Sequence, residues 1–116
     1  MKEILAQLNQ EVGVKGSIVV GPDGILIESL LETPQEKDLI AAIASTAINS
    51  IKEALVKVGT SRFDQFILEA SFGKMVFVDT GNVYLVALLD KGINLDNTLI
   101  AVNGAAHRLA STARIK

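Results

Sequence analysis

The spacing of apolar and polar residues divides the chain into three stretches of helical period and five short runs of strand character. In Lys2 to Val12 the apolar residues Ile4, Leu8 and Val12 return every four positions, which predicts a short amphipathic helix with Gly13 as its stop. Gly16 to Val20 and Ile25 to Leu30 read as strands on either side of Gly21-Pro22-Asp23-Gly24. Proline presets the first central turn position, Asp suits the second, and glycine accepts the positive φ that follows, so a hairpin is expected. Thr33 to Gly59 has the period of one long helix. Thr33 is placed to N-cap it, Pro34 suits its first position, and Glu36 can reach back to complete a capping box. Three further strands, Phe63 to Ser71, Lys74 to Thr80 and Val83 to Leu89, are joined by Phe72-Gly73 and Gly81-Asn82. Those links are too short for a crossover, so the strands form an antiparallel meander. Val83 to Leu89 is apolar on both faces, which suits a mid-sheet strand with helices on either side. A last helix is expected from Leu95 to Ala113 behind Asn94 as N-cap. Leu95, Leu99, Val102, Ala106, Leu109 and Ala113 form its stripe, and Arg108, Arg114 and Lys116 complement its dipole.

The long helix carries more apolar surface than an ordinary surface helix. Ile43, Ala54, Ala47, Ile40, Val58, Ile51, Ala44, Leu55, Ile48 and Ala41 fill an arc of roughly 160°, against a usual stripe of about 100°. Either the helix nestles in the groove of a strongly twisted sheet, or a second chain covers the excess. Two features favour the second chain. Ala41, Ala44, Ala47 and Ala54 are small enough to let another helix approach closely. One strand of the meander must also lie at an edge, and Phe63-Asp64-Gln65-Phe66-Ile67-Leu68-Glu69 has no proline to block pairing there. An edge strand beside an apolar helix suits a two-fold, isologous interface. The candidate interface residues are Ile40, Ala41, Ala44, Ala47, Ile48, Ile51, Leu55, Phe63, Gln65 and Ile67.

Composition narrows the function classes. The 116 residues suit a single domain, 1–116, whose core must be aliphatic, because 49% of residues are hydrophobic and only 4% aromatic. A net charge of −2, with Lys and Arg scattered singly, argues against a nucleic-acid partner. The absence of cysteine removes disulfides, thiolate chemistry and cysteine-ligated zinc. The N-terminus does not read as a signal peptide, and the longest strictly apolar run is Val83 to Leu89. A soluble cytoplasmic protein without direct membrane insertion is the expectation.

A search for catalytic chemistry returns little. The single histidine, His107, lies at the edge of the last helical stripe with Ser111 one turn on, but no carboxylate at helical spacing orients its ring as a triad would require. It reads as a boundary residue packed on its ring face. Gly73-Lys74 is followed by Met75, so there is no phosphate loop. Asp90, Asn94 and Asp96 lack the spacing and terminal glutamate of a calcium loop, and capping explains them better. A non-enzymatic protein without metal or cofactor is expected.

With this order in hand, the chain resembles the Roadblock/dynein light-chain family over nearly its whole length. The resemblance rests on Gly13 to Ser29, on the small-residue-rich long helix, on the meander closing on Tyr84-Leu85-Val86-Ala87-Leu88-Leu89, and on Ile93-Asn94-Leu95 opening the last helix. It implies an α+β sandwich: a five-stranded antiparallel sheet with the long helix on one face and the two terminal helices on the other. It also implies a homodimer through the long helix and the third strand, and a platform for small Ras-like GTPases or an adaptor on a motor complex. The compact chain looks most like the prokaryotic MglB type. A regulator of this kind can insert an arginine finger or reposition its partner's loops. The polar flank of the long helix (Ser45, Thr46, Asn49, Lys52, Glu53 and Lys57) holds no arginine, and the nearest is Arg62 in the turn beyond. Ser45, Thr46, Asn49, Lys52, Glu53 and Arg62 are the candidate partner-binding set, repositioning is the favoured mode, and a solvated flank is the alternative.

Overall fold

A computed structural model describes the chain over residues 1–60 and 62–114, with side chains as far as Thr112. The elements are α1 (Lys2–Leu8), β1 (Val14–Val20), β2 (Leu26–Leu31), α2 (Lys37–Lys57), β3 (Gln65–Ala70), β4 (Gly73–Asp79), β5 (Tyr84–Leu89) and α3 (Leu95–Arg114). The five strands form one sheet in the order β2-β1-β5-β4-β3, antiparallel throughout. β5 is therefore the central strand, as its two apolar faces predict, and β2 and β3 are the edges.

This order explains the length of α2. The chain leaves β2 at one edge and must enter β3 at the other, across four strand spacings or roughly 19 Å. A helix of 21 residues, about 32 Å long, spans that width with room to cross obliquely. The alternation of the strands then divides the core in two. Val19, Val76, Val78, Leu85, Ala87 and Leu89 face α1 and α3, meeting Leu5, Leu8, Val102, Ala105 and Leu109. Ile18, Val20, Met75, Phe77, Tyr84 and Val86 face α2, where only Ala44 and Ile48 are fully buried on the helix. The architecture is the α+β sandwich expected, with helix, two strands, helix, three strands, helix in chain order.

Two helix ends differ from the expectation. α1 stops at Leu8, not Val12, because Asn9 is recruited into the tertiary structure. Its Nδ2 donates to the Leu30 carbonyl at 2.9 Å, and its Oδ1 accepts from the buried Ser17 hydroxyl at 2.8 Å. Val12 falls in the turn beyond and is exposed. Gly13 still needs its φ of 89°, but it serves the entry to β1, where any Cβ would overlap the Ile93 side chain. The capping box at Thr33 does not form. The chain enters α2 through a 3-10 turn at Pro34–Glu36, with Thr33 at φ −121° and ψ 86° and no side-chain bond to the helix. The backbone carbonyl of Thr33 accepts the Glu36 N–H instead, at 3.0 Å.

The other ends follow local chemistry. Gly59 at φ 89° ends α2 in a Schellman motif: Thr60 N–H reaches the Leu55 carbonyl at 3.0 Å, and Gly59 N–H the Val56 carbonyl at 3.1 Å. Asn94 Oδ1 accepts the Asp96 N–H at 3.1 Å at the start of α3. The hairpin turn closes through Gly24 N–H to the Gly21 carbonyl at 2.9 Å. Along α3, Val102, Ala106 and Leu109 are buried and Leu95 and Leu99 half-buried. The side chain of Ala113 from the stripe, and the Arg114 side chain and all of Lys116 from the dipole argument, lie outside the described residues.

Candidate protein-interaction surface

Burial along α2 separates the face spent on the sheet from the face left over. Ala44 (0% exposed) and Ile48 (3%) mark the line of contact with the sheet, flanked by half-buried Ala41, Ile51 and Leu55. Around the helix in one direction the apolar arc continues through Ile40, Ala47 and Ala54 to Ile43 and Leu39. Burial fails along that path. Ile40, Ile43 and Ala47 are half-buried, Ala54 is exposed, and Leu39 and Val58 stand 60% and 76% exposed. By length and composition Pro34–Lys57 would also pass for a membrane span. Ala44 and Ile48 are buried on the sheet and the charged Lys52 and Glu53 lie on the other flank, so one side of the helix packs on the sheet and much of the rest is uncovered.

The expected interface set therefore needs correction. Ala44 and Ile48 are committed to the chain's own sheet and have no surface to offer a second chain. On this flank Leu39, Ala54 and Val58 are exposed and Ile43 half-buried, and none of the four is in the expected set. Their apolar character was legible in the sequence, but their orientation was not.

β3 is one of the two edges of the sheet and pairs only with β4, as β2 at the other edge pairs only with β1. Phe66 and Leu68 lie opposite Phe77 and Met75, on the α2 side. Gln65 and Ile67 lie opposite Val78 and Val76, on the side of the terminal helices. Ile67 and Leu68 are both 38% exposed, one on each face of the strand. Phe63 precedes the strand and belongs to an aromatic row. Phe66 stacks on Phe77 at 4.2 Å between ring centroids, Phe63 meets Phe66 edge-on at 4.9 Å, and Phe63 stacks on Tyr84 at 5.6 Å. Four of the chain's five aromatic residues thus support β3 on its α2 side, where each pair adds about 0.5–1.5 kcal/mol beyond its buried area. The fifth, Phe72, lies exposed in the β3–β4 turn and helps to line a cavity of about 350 Å³ with Leu39, Ile40, Ile43 and Leu88 and the charged Lys15, Glu32 and Glu36.

The polar flank of α2 also divides. Thr46, Asn49 and Glu53 are exposed. Ser45 is half-buried and turned toward the β1–β2 turn, its hydroxyl 2.6 Å from where a Cβ on Gly24 would lie. Lys52 is half-buried with its Nζ 5.7 Å from the centroid of the Tyr84 ring, a cation–π distance. Arg62 Nη2 lies 3.3 Å from Asp79 Oδ2, so this arginine is engaged with its own chain. Lys52, Arg62, Phe63, Asp79 and Tyr84 surround a second cavity of about 240 Å³ between α2 and the β4–β5 turn. His107 is exposed on α3, not packed on its ring face. Among the described residues no group of three or more His, Cys, Asp or Glu could hold a metal ion.

The sequence model of the Roadblock/LC7 domain matches residues 1–89, from α1 through β5. The chain belongs to the Roadblock/LC7 family. Among its relatives is the uncharacterized Methanocaldococcus jannaschii protein MJ0714, 37% identical over 106 residues, which cover 91% of this chain and 90% of that one. Of solved structures, Myxococcus xanthus MglB superposes with a TM-score of 0.87 at 18% identity, covering 100% of this chain and 98% of that one. An MglB solved in a tetrameric arrangement gives 0.84 at 18% identity, covering 97% and 87%. At these identities the likeness to MglB is one of fold. Roadblock/LC7 proteins are regulators and adaptors, not classical enzymes. In this Roadblock/LC7 chain α3 continues past the matched region and closes the second face of the sheet.

Proposed function

We propose that this Roadblock/LC7 protein is a cytoplasmic homodimeric platform that binds and regulates a small Ras-like GTPase. The observation that carries the dimer is the uncovered side of α2, Leu39, Ile43, Ala47, Ala54 and Val58, on the same sheet face as the side chains Phe66 and Leu68 of the free edge strand β3. Pairing β3 with its copy would satisfy the edge backbone groups and continue the sheet, while the two helices cover each other's apolar flanks. The small residues Ala47 and Ala54 permit close contact between them.

A platform of this kind would keep Thr46, Asn49 and Glu53 for a third protein. The polar flank of α2 carries no arginine, which supports repositioning of the partner's catalytic loops over an arginine finger. The nucleotide and magnesium would belong to the partner, so this chain itself needs no cofactor. Two measurements test the reading. Sedimentation at micromolar concentration should give a dimer. A small GTPase co-purified with the chain should bind differently in its GTP and GDP states and change its hydrolysis rate when the chain is added. Unchanged hydrolysis with nucleotide-independent binding would instead make the protein a structural adaptor in a larger assembly.

A further inference from the structure

The cavity between α2 and the β4–β5 turn has a charge balance that its own residues leave open. Asp79 is its one carboxylate, and both oxygens are in use. Oδ2 faces Arg62 Nη2 at 3.3 Å, and Oδ1 accepts the Gly81 N–H at 2.8 Å. Lys52 lies against the Tyr84 ring and has no ion-pair partner among the described residues. Arg62 meets Asp79 through a single nitrogen and is 65% exposed at its side chain, so the rest of its donor fork is uncommitted. Two cations against one anion leave the cavity with an excess of one positive charge. Its walls, Phe63, Val83 and the Tyr84 ring, are apolar, which strengthens electrostatic attraction at its mouth relative to open water.

We infer that this cavity is a binding site for a single carboxylate group. About 240 Å³ is below the roughly 300–1,000 Å³ of sites for drug-sized ligands, and so suits a side chain or a small acid better than a nucleotide. A carboxylate matches the excess charge and the planar fork of Arg62. The group comes either from a free small acid or from an Asp or Glu side chain of a bound protein. Lys52 lies roughly 160° around α2 from Ala54, so the site opens away from the uncovered apolar flank; it shares Lys52 and Arg62 with the expected partner-binding set, but binding of a small acid is read without a dimer or a GTPase.

The protein carries its own probe. Tyr84 is the only tyrosine and there is no tryptophan, so intrinsic emission reports on this cavity alone. Titration with sodium glutarate at constant ionic strength should change that emission saturably, with half-saturation in the millimolar range, about −4 kcal/mol. The neutral glutaramide should give no saturable change. Lys52→Gln should raise the half-saturation concentration about fivefold, as should Arg62→Gln, the size of one exposed ion pair. Asp79→Asn keeps an oxygen for Gly81 while removing the competing charge, and should lower it about fivefold. A capped tripeptide with a central glutamate between leucines separates the two sources. Tighter binding than glutarate assigns the site to a protein partner's side chain, and weaker binding assigns it to a free acid. The inference is overturned if neither probe saturates, or if half-saturation is the same in the wild type, Lys52→Gln and Asp79→Asn.

Discussion

Ala44 and Ala54 share one helix and one small side chain, yet a glutamate should act oppositely at the two. At Ala44 the carboxylate would be buried in the core cluster on the α2 side of the sheet with no partner, at a cost on the order of 3–5 kcal/mol. Ala44→Glu is therefore expected to lower the denaturation midpoint sharply, whatever the oligomeric state. At exposed Ala54 the same change should leave secondary structure and the monomer's stability intact but shift the sedimentation coefficient from dimer to monomer. An Ala54→Glu protein that remains a dimer would place the interface elsewhere. Gly59 offers a purely conformational case. A Cβ there meets nothing within 4 Å, so the cost of Gly59→Ala comes from φ 89° alone, about 1–2 kcal/mol in chemical denaturation. Ser17 is a buried hydroxyl that donates to Asn9 Oδ1. Ser17→Ala should cost about 1–3 kcal/mol and loosen α1 from the sheet, seen as faster amide exchange in Lys2–Leu8.

Among the elements, β3 and α2 were the most legible by type and the least by orientation. The short links of the meander require one of its strands to lie at an edge, β3 has no proline to block pairing with another chain there, and the strand order puts β3 at an edge. Which of its residues face α2 depends on register with β4, and the pairing of Phe66 with Phe77 fixes it. A lysine in place of Leu68 would stand on the α2 side at the edge, where it should disfavour strand pairing between copies. Leu68→Lys is expected to weaken dimerisation in a concentration series while the monomer's circular dichroism stays unchanged. For α2 the apolar arc was readable as a whole. Its division could not be read, because helical period gives relative angles and no absolute direction. Capping showed a different limit. Thr33 and Glu36 have the residue types of a capping box, but the link from β2 sets the entry angle and a 3-10 turn results. At Gly59 no tertiary contact competes, and the local signal held.

For the whole molecule, one topological fact governs the surface. β5 pairs between β1 and β4, which drives β2 and β3 to opposite edges and obliges α2 to cross the sheet. α2 seals the middle of that face, where Ile18, Val20, Met75, Phe77 and Val86 are fully buried, but its own flank at Leu39, Ala54 and Val58 is left open, and that flank is where a twin would fit. Mixing this protein with a cognate GTPase should give a complex whose stoichiometry contains two copies of the chain. Recovery of a one-to-one complex from a dimeric preparation would contradict the platform reading.

Residue order alone determined the number and kind of elements, the meander, the central strand and the family, because period, turn chemistry and link length are local properties. It also determined that α2 has surplus apolar surface. The tertiary structure decided which residues form that surplus, since the sheet consumes Ala44 and Ile48 and leaves Leu39, Ala54 and Val58 open. It also decided that Lys52, Arg62 and Asp79 meet. They come from α2, the link beyond it and β4, and only the folding of β4 and β5 beneath α2 brings their charges into one cavity.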